Sequence, residues 1–219
     1  MEFFMAGYLL ITRPEHDYAT RYLSAWSEKL FNLIESKGYS KIDLHRERAN
    51  RKEIESILSK KNPDLVIING HGSDDMVAGH NNNLLIKAGD NSSLLNNKIT
   101  YAISCRSACV LGKEIAQNVN TAYIGYQDDF ILLYLEKYRT RPAEDKLAEL
   151  FLGPSNVLLT TLIKGHSTKE ATLRARQESL RNIQNLLTSQ TKIEDSSTLR
   201  YLVWNMQNLI LQGDTNKSL

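Results

Sequence analysis

The sequence predicts an α/β domain: a mostly parallel sheet of about five to six strands, flanked by helices. Three observations predict it. The first is a set of short, β-branched-rich apolar runs that stop abruptly at polar residues. Asp64 to Asn69 runs into Gly70-His71-Gly72, and Ile99 to Ile103 runs into Ser104-Cys105-Arg106. Such runs read as strands buried on both faces of a parallel sheet. The second is the alternation of these runs with helix-patterned segments, a β-α-β-α-β order that needs crossover helices. The third is a largely helical pattern after residue 130, which adds C-terminal helices.

Taken in order, Gly7 to Thr12 reads as the first strand and Arg13-Pro14 stops it. From Glu15 to Ser36, Tyr18, Tyr22, Leu23, Trp26, Leu30, Leu33 and Ile34 recur at helical steps, and Lys37-Gly38 supplies a helix end. Lys41 to Leu44 is a second strand. Asn50 to Lys60 is a second helix with Ile54, Ile57 and Leu58 inward, and Pro63 precedes the strand that leads to His71. Between the His and Cys blocks, Ser73 to Asn97 is polar and rich in Asn and Gly, with a small strand at Leu84 to Ile86. It is expected to lie over the sheet edge as a loop or short hairpin. A helix is expected from Ala108 to Asn118, starting just after Cys105, and a fifth strand from Thr121 to Tyr126.

Short helices are expected at Phe130 to Tyr138, Ala143 to Leu152 and Asn156 to Lys164, the last closed by Gly165. Ser167-Thr168-Lys169-Glu170 is a capping box that opens a long helix to Thr188. Its narrow apolar stripe of Leu173, Leu180, Ile183 and Leu187 places it at the surface. Ser189 to Ser197 reads as a polar linker. Leu199, Leu202, Val203, Met206, Leu209 and Ile210 form an amphipathic helix, with Gly213 just past its end. The whole chain reads as one domain, an α/β core over 1–130 and a mainly helical part over 131–219.

The chain's 219 residues suit one domain, and 42% hydrophobic residues suffice for a core. A net charge of only +2, spread along the chain, argues against a nucleic-acid partner. The two cysteines, Cys105 and Cys109, read as thiols, which suits a reducing cytoplasm. The first residues, Met1 to Ala6, lack a basic signal-peptide start, and no apolar run reaches the ~18 residues of a membrane span. A cytoplasmic protein with no membrane partner is expected.

In open α/β sheets chemistry gathers at the carboxyl edge of the strands. His71 and Cys105 each follow such a strand, so both belong at that edge, as a nucleophile and its base. The bland reading of Cys105 is a small buried hydrophobe. Against it stand the polar neighbours Ser104, Arg106 and Ser107. A following helix N-terminus and the Arg106 charge would favour the thiolate. Flanking glycines permit close substrate approach at His71, a setting that His16, His45, His80 and His166 lack. His71, His80, Cys105, Cys109 and Asp74-Asp75 include metal-capable side chains, but without the paired short spacing of a structural zinc site. No glycine-rich phosphate loop occurs either, so neither metal nor cofactor is expected.

The pattern of apolar strand then His-Gly, followed by apolar strand then Cys, resembles the clan CD cysteine peptidases. These include caspases, metacaspases, separase, gingipains and the bacterial CHAT domains. Leu209-Ile210-Leu211-Gln212-Gly213-Asp214 is similar to the Leu-Leu-Gly-Asp-Pro segment that closes gingipain-like and CHAT-like domains, with Thr215 in place of Pro. The resemblance runs from about Gly7 to Asp214. It implies a three-layer caspase-like fold and a cysteine endopeptidase acting on a protein or peptide substrate. His71 would be the acid/base and Cys105 the nucleophile, and the N–H groups of Gly72 and Cys105 would form the oxyanion hole, with no third residue required.

The resemblance also implies an activating protein partner and a bacterial, antiviral-defence or cell-death setting, both by analogy. In metacaspases an Asp two residues before the Cys helps bind a basic P1 side chain; here that position is Ile103. Asp128, Asp129 and Ser104 are the remaining substrate-binding candidates, with a basic P1 residue in view. The plain reading of Asp128 or Asp129 is the N-cap of a helix at Phe130. Arg106 raises the opposite idea of an acidic P1 residue. The alternative function is a catalytically silent caspase-like scaffold, whose partner faces would be the helices at Ser167 to Thr188 and Leu199 to Ile210.

Overall fold

The computed structural model describes residues 7–188 and 196–219. In chain order the elements are β1 (Gly7–Arg13), α1 (Tyr18–Glu28), α2 (Phe31–Ser36), β2 (Tyr39–His45), α3 (Arg51–Lys61), β3 (Leu65–Asn69), β4 (Met76–Ala78) and β5 (Leu84–Lys87). Then follow β6 (Ile99–Ile103), α4 (Leu111–Ile115), β7 (Ala122–Tyr126), α5 (Lys146–Ile163), α6 (Thr168–Thr188), α7 (Ser196–Asn208) and β8 (Leu209–Gly213). Six strands form one sheet in the order β2-β1-β3-β6-β7-β8. Its neighbours are parallel except β8, which runs antiparallel to β7. β4 and β5 make a separate antiparallel hairpin.

Period-2 alternation divides the strands between two cores. Leu9, Ile11, Leu65, Ile67, Ile99, Tyr101 and Ile124 face one layer and pack against Tyr22, Trp26, Leu159 and Ala171 of α1, α5 and α6. Leu10, Val66, Ile68, Ala102 and Tyr123 face the other, against Ile54 and Leu58 of α3, Leu111 of α4, and the hairpin. Helices cover both faces, giving the three-layer α/β arrangement of a caspase-like fold. Among the described residues, no helix is long and apolar enough to cross a membrane.

Several expected elements change. The single helix over Glu15 to Ser36 is two, broken at Lys29-Leu30, where Leu30 turns into the core. Phe130 to Tyr138 is not a helix but an extended strap with one 3-10 turn at Glu136–Tyr138. Phe130, Leu132 and Tyr134 alternate onto the main core. Side chains take over the backbone bonding: Asn205 receives the Ile131 N–H and donates to its carbonyl (3.0 and 2.7 Å), and Asp145 receives the Leu135 N–H (2.7 Å).

The two helices expected on either side of Gly153-Pro154 are one, α5. Pro154 has no N–H for the Leu150 carbonyl, and Asn182 of α6 supplies that donor instead, at 3.1 Å. The C-terminal helix stops at Asn208, and Leu209–Gly213 joins β7 as an edge strand, so pairing to an open sheet edge overrides the helical spacing. The Ser167 cap does form on the Glu170 N–H, at 3.2 Å. α6 packs on α5 through Ala171, Thr172, Ala175, Ser179 and Ile183, leaving Leu173, Leu180 and Leu187 exposed. Most of the linker expected at Ser189 to Ser197 lies outside the described residues.

Replacing Asn182 with Ala should strand the Leu150 carbonyl and cost about 1–2 kcal/mol. Urea denaturation with an unchanged m-value is the check, and an unaltered midpoint would show that Pro154 needs no partner.

Candidate active site

β3 ends at Asn69, a fully buried amide. Its Nδ2 donates to the Thr12 carbonyl (2.7 Å) and to Ser27 Oγ (2.9 Å), while its N–H reaches Thr12 Oγ1 (3.0 Å). The carboxyl ends of β1 and β3 are thereby tied to α1. Gly70 then takes φ +153°, and a Cβ there would run into the Ala78 carbonyl oxygen, so the turn that delivers His71 needs glycine. Gly72 brings the His and Cys blocks together: a Cβ on it would strike Ser104 Oγ and lie 2.8 Å from the Cys105 carbonyl oxygen. The hairpin is pinned beside them, since the Ala78 N–H donates to the His71 carbonyl (2.8 Å) and the Ser73 N–H to Met76 (3.0 Å). With Val77, Leu85 and Ile86 in the core, the segment forms the short hairpin that was one of the two expectations for it.

β6 ends at Ile103, followed by buried Ser104 and partly buried Cys105. Arg106 adopts φ +53°, a left-handed conformation that costs a non-glycine residue about 1 kcal/mol or more. The turn is held by the end of β7: the Arg106 N–H donates to the Asp128 carbonyl (3.1 Å) and the Ala108 N–H to Tyr126 (3.0 Å). The helix therefore begins only at Leu111, so no helix N-terminus points at Cys105, and the expected dipole activation is absent. Burial pushes the Cys105 thiol above its ordinary range. Asp129 adds to the upward shift, against the opposing pull of the Phe130 backbone and Arg106. The thiol form of Cys105 is therefore favoured over the thiolate.

His71, the expected acid/base, has a partner that was not expected. Its Nε2 lies 2.6 Å from Asp17 Oδ2. The other oxygen, Oδ1, caps α1 by accepting the Thr20 N–H at 2.8 Å. Burial would raise the Asp17 carboxyl, but the hydrogen bonds from His71 and Thr20 outweigh it and hold it below its usual range. Against an ionised Asp17, Nε2 carries the imidazole proton and Nδ1 is left as the acceptor. Nδ1 makes no hydrogen bond among the described residues. The signal available in the sequence was position: Asp17 follows β1, whose carboxyl end lies beside that of β3.

His71 and Cys105 line one pocket of about 110 Å³, with Ser104 and the apolar Leu23, Ile103 and Phe130. Ser104 Oγ is buried there without a hydrogen-bond partner. The N–H groups of Gly72 and Cys105 donate to no acceptor among the described residues, as an oxyanion hole requires. Asp128 and Asp129 do not line the pocket. Asp128 Oδ1 accepts the Asp129 N–H (2.8 Å), with no helix following for it to cap. Asp129 faces Arg106 (3.7 Å), which also faces Asp74 (3.4 Å). The metal-capable residues of the sequence are dispersed: His80 Nδ1 accepts the Glu15 N–H, and Cys109 Sγ reaches the Gln127 carbonyl. His71 instead meets His16 and Asp17.

With Cys109 replaced by Ala, Cys105 should alkylate at pH 7 no faster than an unstructured cysteine. Its rate should still be climbing at the pH where an unstructured cysteine has levelled off, because the raised thiol lowers the thiolate fraction at every lower pH. A pH–rate profile of iodoacetamide labelling that is already flat at pH 7 would contradict this.

No protein-family model matches the chain, and no curated protein matches it. Among solved structures, the crystal structure of protein GSU0716 from Geobacter sulfurreducens is similar at a TM-score of 0.43 and 13% identity, covering 78% of this chain and 88% of that one.

Proposed function

We propose that the chain is a cysteine endopeptidase of clan CD type that hydrolyses peptide bonds of a protein or peptide substrate. One observation carries this reading: His71 and Cys105, at the carboxyl ends of adjacent parallel strands, line one pocket beside two unengaged backbone N–H groups. His71 Nδ1 takes the Cys105 thiol proton as Sγ attacks the scissile carbonyl carbon. The oxyanion turns to the N–H groups of Gly72 and Cys105. As the tetrahedral species collapses, the imidazolium passes its proton to the leaving amine, leaving an acyl-thioester. Water, deprotonated by the same Nδ1, then releases the acid and restores the thiol. Asp17 steadies the imidazolium throughout.

The pocket's apolar walls favour a small or apolar P1 side chain over a basic one; the adjacent carboxylate, Asp129, acts on the Cys105 thiol and pairs with Arg106. The scaffold reading keeps one observation in its favour, the raised thiol of Cys105.

A P1-diverse fluorogenic peptide library separates these readings. Cys105→Ala and His71→Ala should reduce cleavage to background without lowering Tm. Cleavage that survives in Cys105→Ala would sink the enzyme reading, and a preference for Arg or Lys would move P1 recognition out of this pocket. Asp17→Asn should keep the helix cap, since Asn caps as well as Asp. It should still lower kcat/KM on the order of 10²-fold or more, because the amide Nδ2 faces Nε2 and forces the proton onto Nδ1.

A further inference from the structure

β1 and β3 are parallel neighbours, so the segment leaving β1 crosses the same sheet edge at which His71 emerges. His16 and Asp17 lie in that segment. Asp17 Oδ2 is 2.6 Å from His71 Nε2 and 3.6 Å from His16 Nε2. One ligand atom from each of the three residues lies within 4.8 Å of the others. Two imidazoles and a carboxylate form a donor set suited to a borderline ion rather than to Mg²⁺ or Ca²⁺. Zinc–ligand bonds of about 2.0–2.2 Å in a tetrahedron put donors about 3.3–3.6 Å apart. The His16–Asp17 pair is already close to that spacing. The His71–Asp17 pair reaches it by opening less than about 1 Å as the proton between them leaves.

The cluster is both accessible and held. The Asp17 and His71 side chains are 37% and 46% exposed, while that of His16 is 11% exposed. The His16 ring stands edge-on to His71 (5.8 Å) and to His80 (5.4 Å). Its Nε2 lies 3.2 Å from Asn82 Oδ1. With two oxygens facing Nε2, the ring carries its proton there, and Nδ1 is buried without a partner. A metal on Nε2 would move that proton to the unpartnered Nδ1. Lacking an acceptor behind the ligand costs about 10–100-fold in affinity, so binding in the micromolar range is expected.

We propose that His16, Asp17 and His71 form a Zn²⁺ site with three protein ligands and a fourth position left for water. Zinc on His71 Nε2 leaves the one imidazole proton on Nδ1, the nitrogen that has to accept the thiol proton. Occupancy therefore switches the base off reversibly. This inhibitory consequence rests on the peptidase reading, whereas the metal site itself does not.

The test uses the full chain carrying Cys105→Ala and Cys109→Ala, so that no thiol competes for metal and no cleavage is needed for a readout. Calorimetric titration with Zn²⁺, and Co²⁺ as a visible-absorption probe, should show one ion per chain at micromolar affinity. His16→Gln and Asp17→Asn should each weaken binding at least about 10-fold, with the circular dichroism spectrum unchanged. His166→Gln, remote from the cluster, should not alter it. Absence of saturable binding, or binding indifferent to His16→Gln, would overturn the site whether or not the chain cleaves peptides.

Discussion

The carboxylate of Asp17 joins the first helix of the fold to the imidazole at the sheet edge. One oxygen starts α1; the other holds His71. α1 is in turn placed by Tyr22, Leu23 and Trp26, which pack on Leu9, Ile11 and Leu65 of β1 and β3. Asn69 closes the loop by bonding to Thr12 of β1 and Ser27 of α1 just before His71 leaves the sheet. The His71 imidazole is thus positioned by the hydrophobic core, acting through two buried or half-buried polar links. A change in how α1 seats on the sheet would be felt at the imidazole.

Cys105 is built on the opposite logic. Nothing local ionises Cys105. The residues after it bond back to the end of β7, the next helix starts six residues later, and burial outweighs the Arg106 charge. A thiol in this setting depends on a base of the right tautomer. On the proposed peptidase reading, the Asp17–His71 bond would matter more here than beside a preformed thiolate. On that reading, the geometry of the two strand ends and the electrostatics of the edge are therefore one problem: a fixed Nδ1 acceptor makes a protonated cysteine usable.

Much of the fold was legible because its signals are local. Strands β1, β3, β6 and β7 are continuous apolar runs with polar stops, and α6 opens at the Ser167 cap that its sequence signals. The misread segments are those in which a distant side chain takes over backbone bonding. Asn182 lets α5 pass through Pro154, and Asn205 and Asp145 hold Phe130 to Leu135 extended. In the same way the free edge of β7 draws Leu209–Gly213 out of a helix. Each partner lies ten to ninety-one residues away in sequence, beyond the reach of periodicity (Leu135–Asp145 to Ala122–Gly213).

By itself, the sequence determined the alternation of buried strands and helices, and the placement of His71 and Cys105 after two of those strands. Both are written into short windows, since apolar burial and glycine turns act within a few residues. Tertiary structure decided what surrounds them: Asp17 as the partner of His71, Asp128 and Asp129 outside the pocket, apolar walls around it, and a thiol held protonated. Those properties depend on distances between segments and on how much water is excluded where they meet. Neither quantity exists until the strands have taken their order in the sheet.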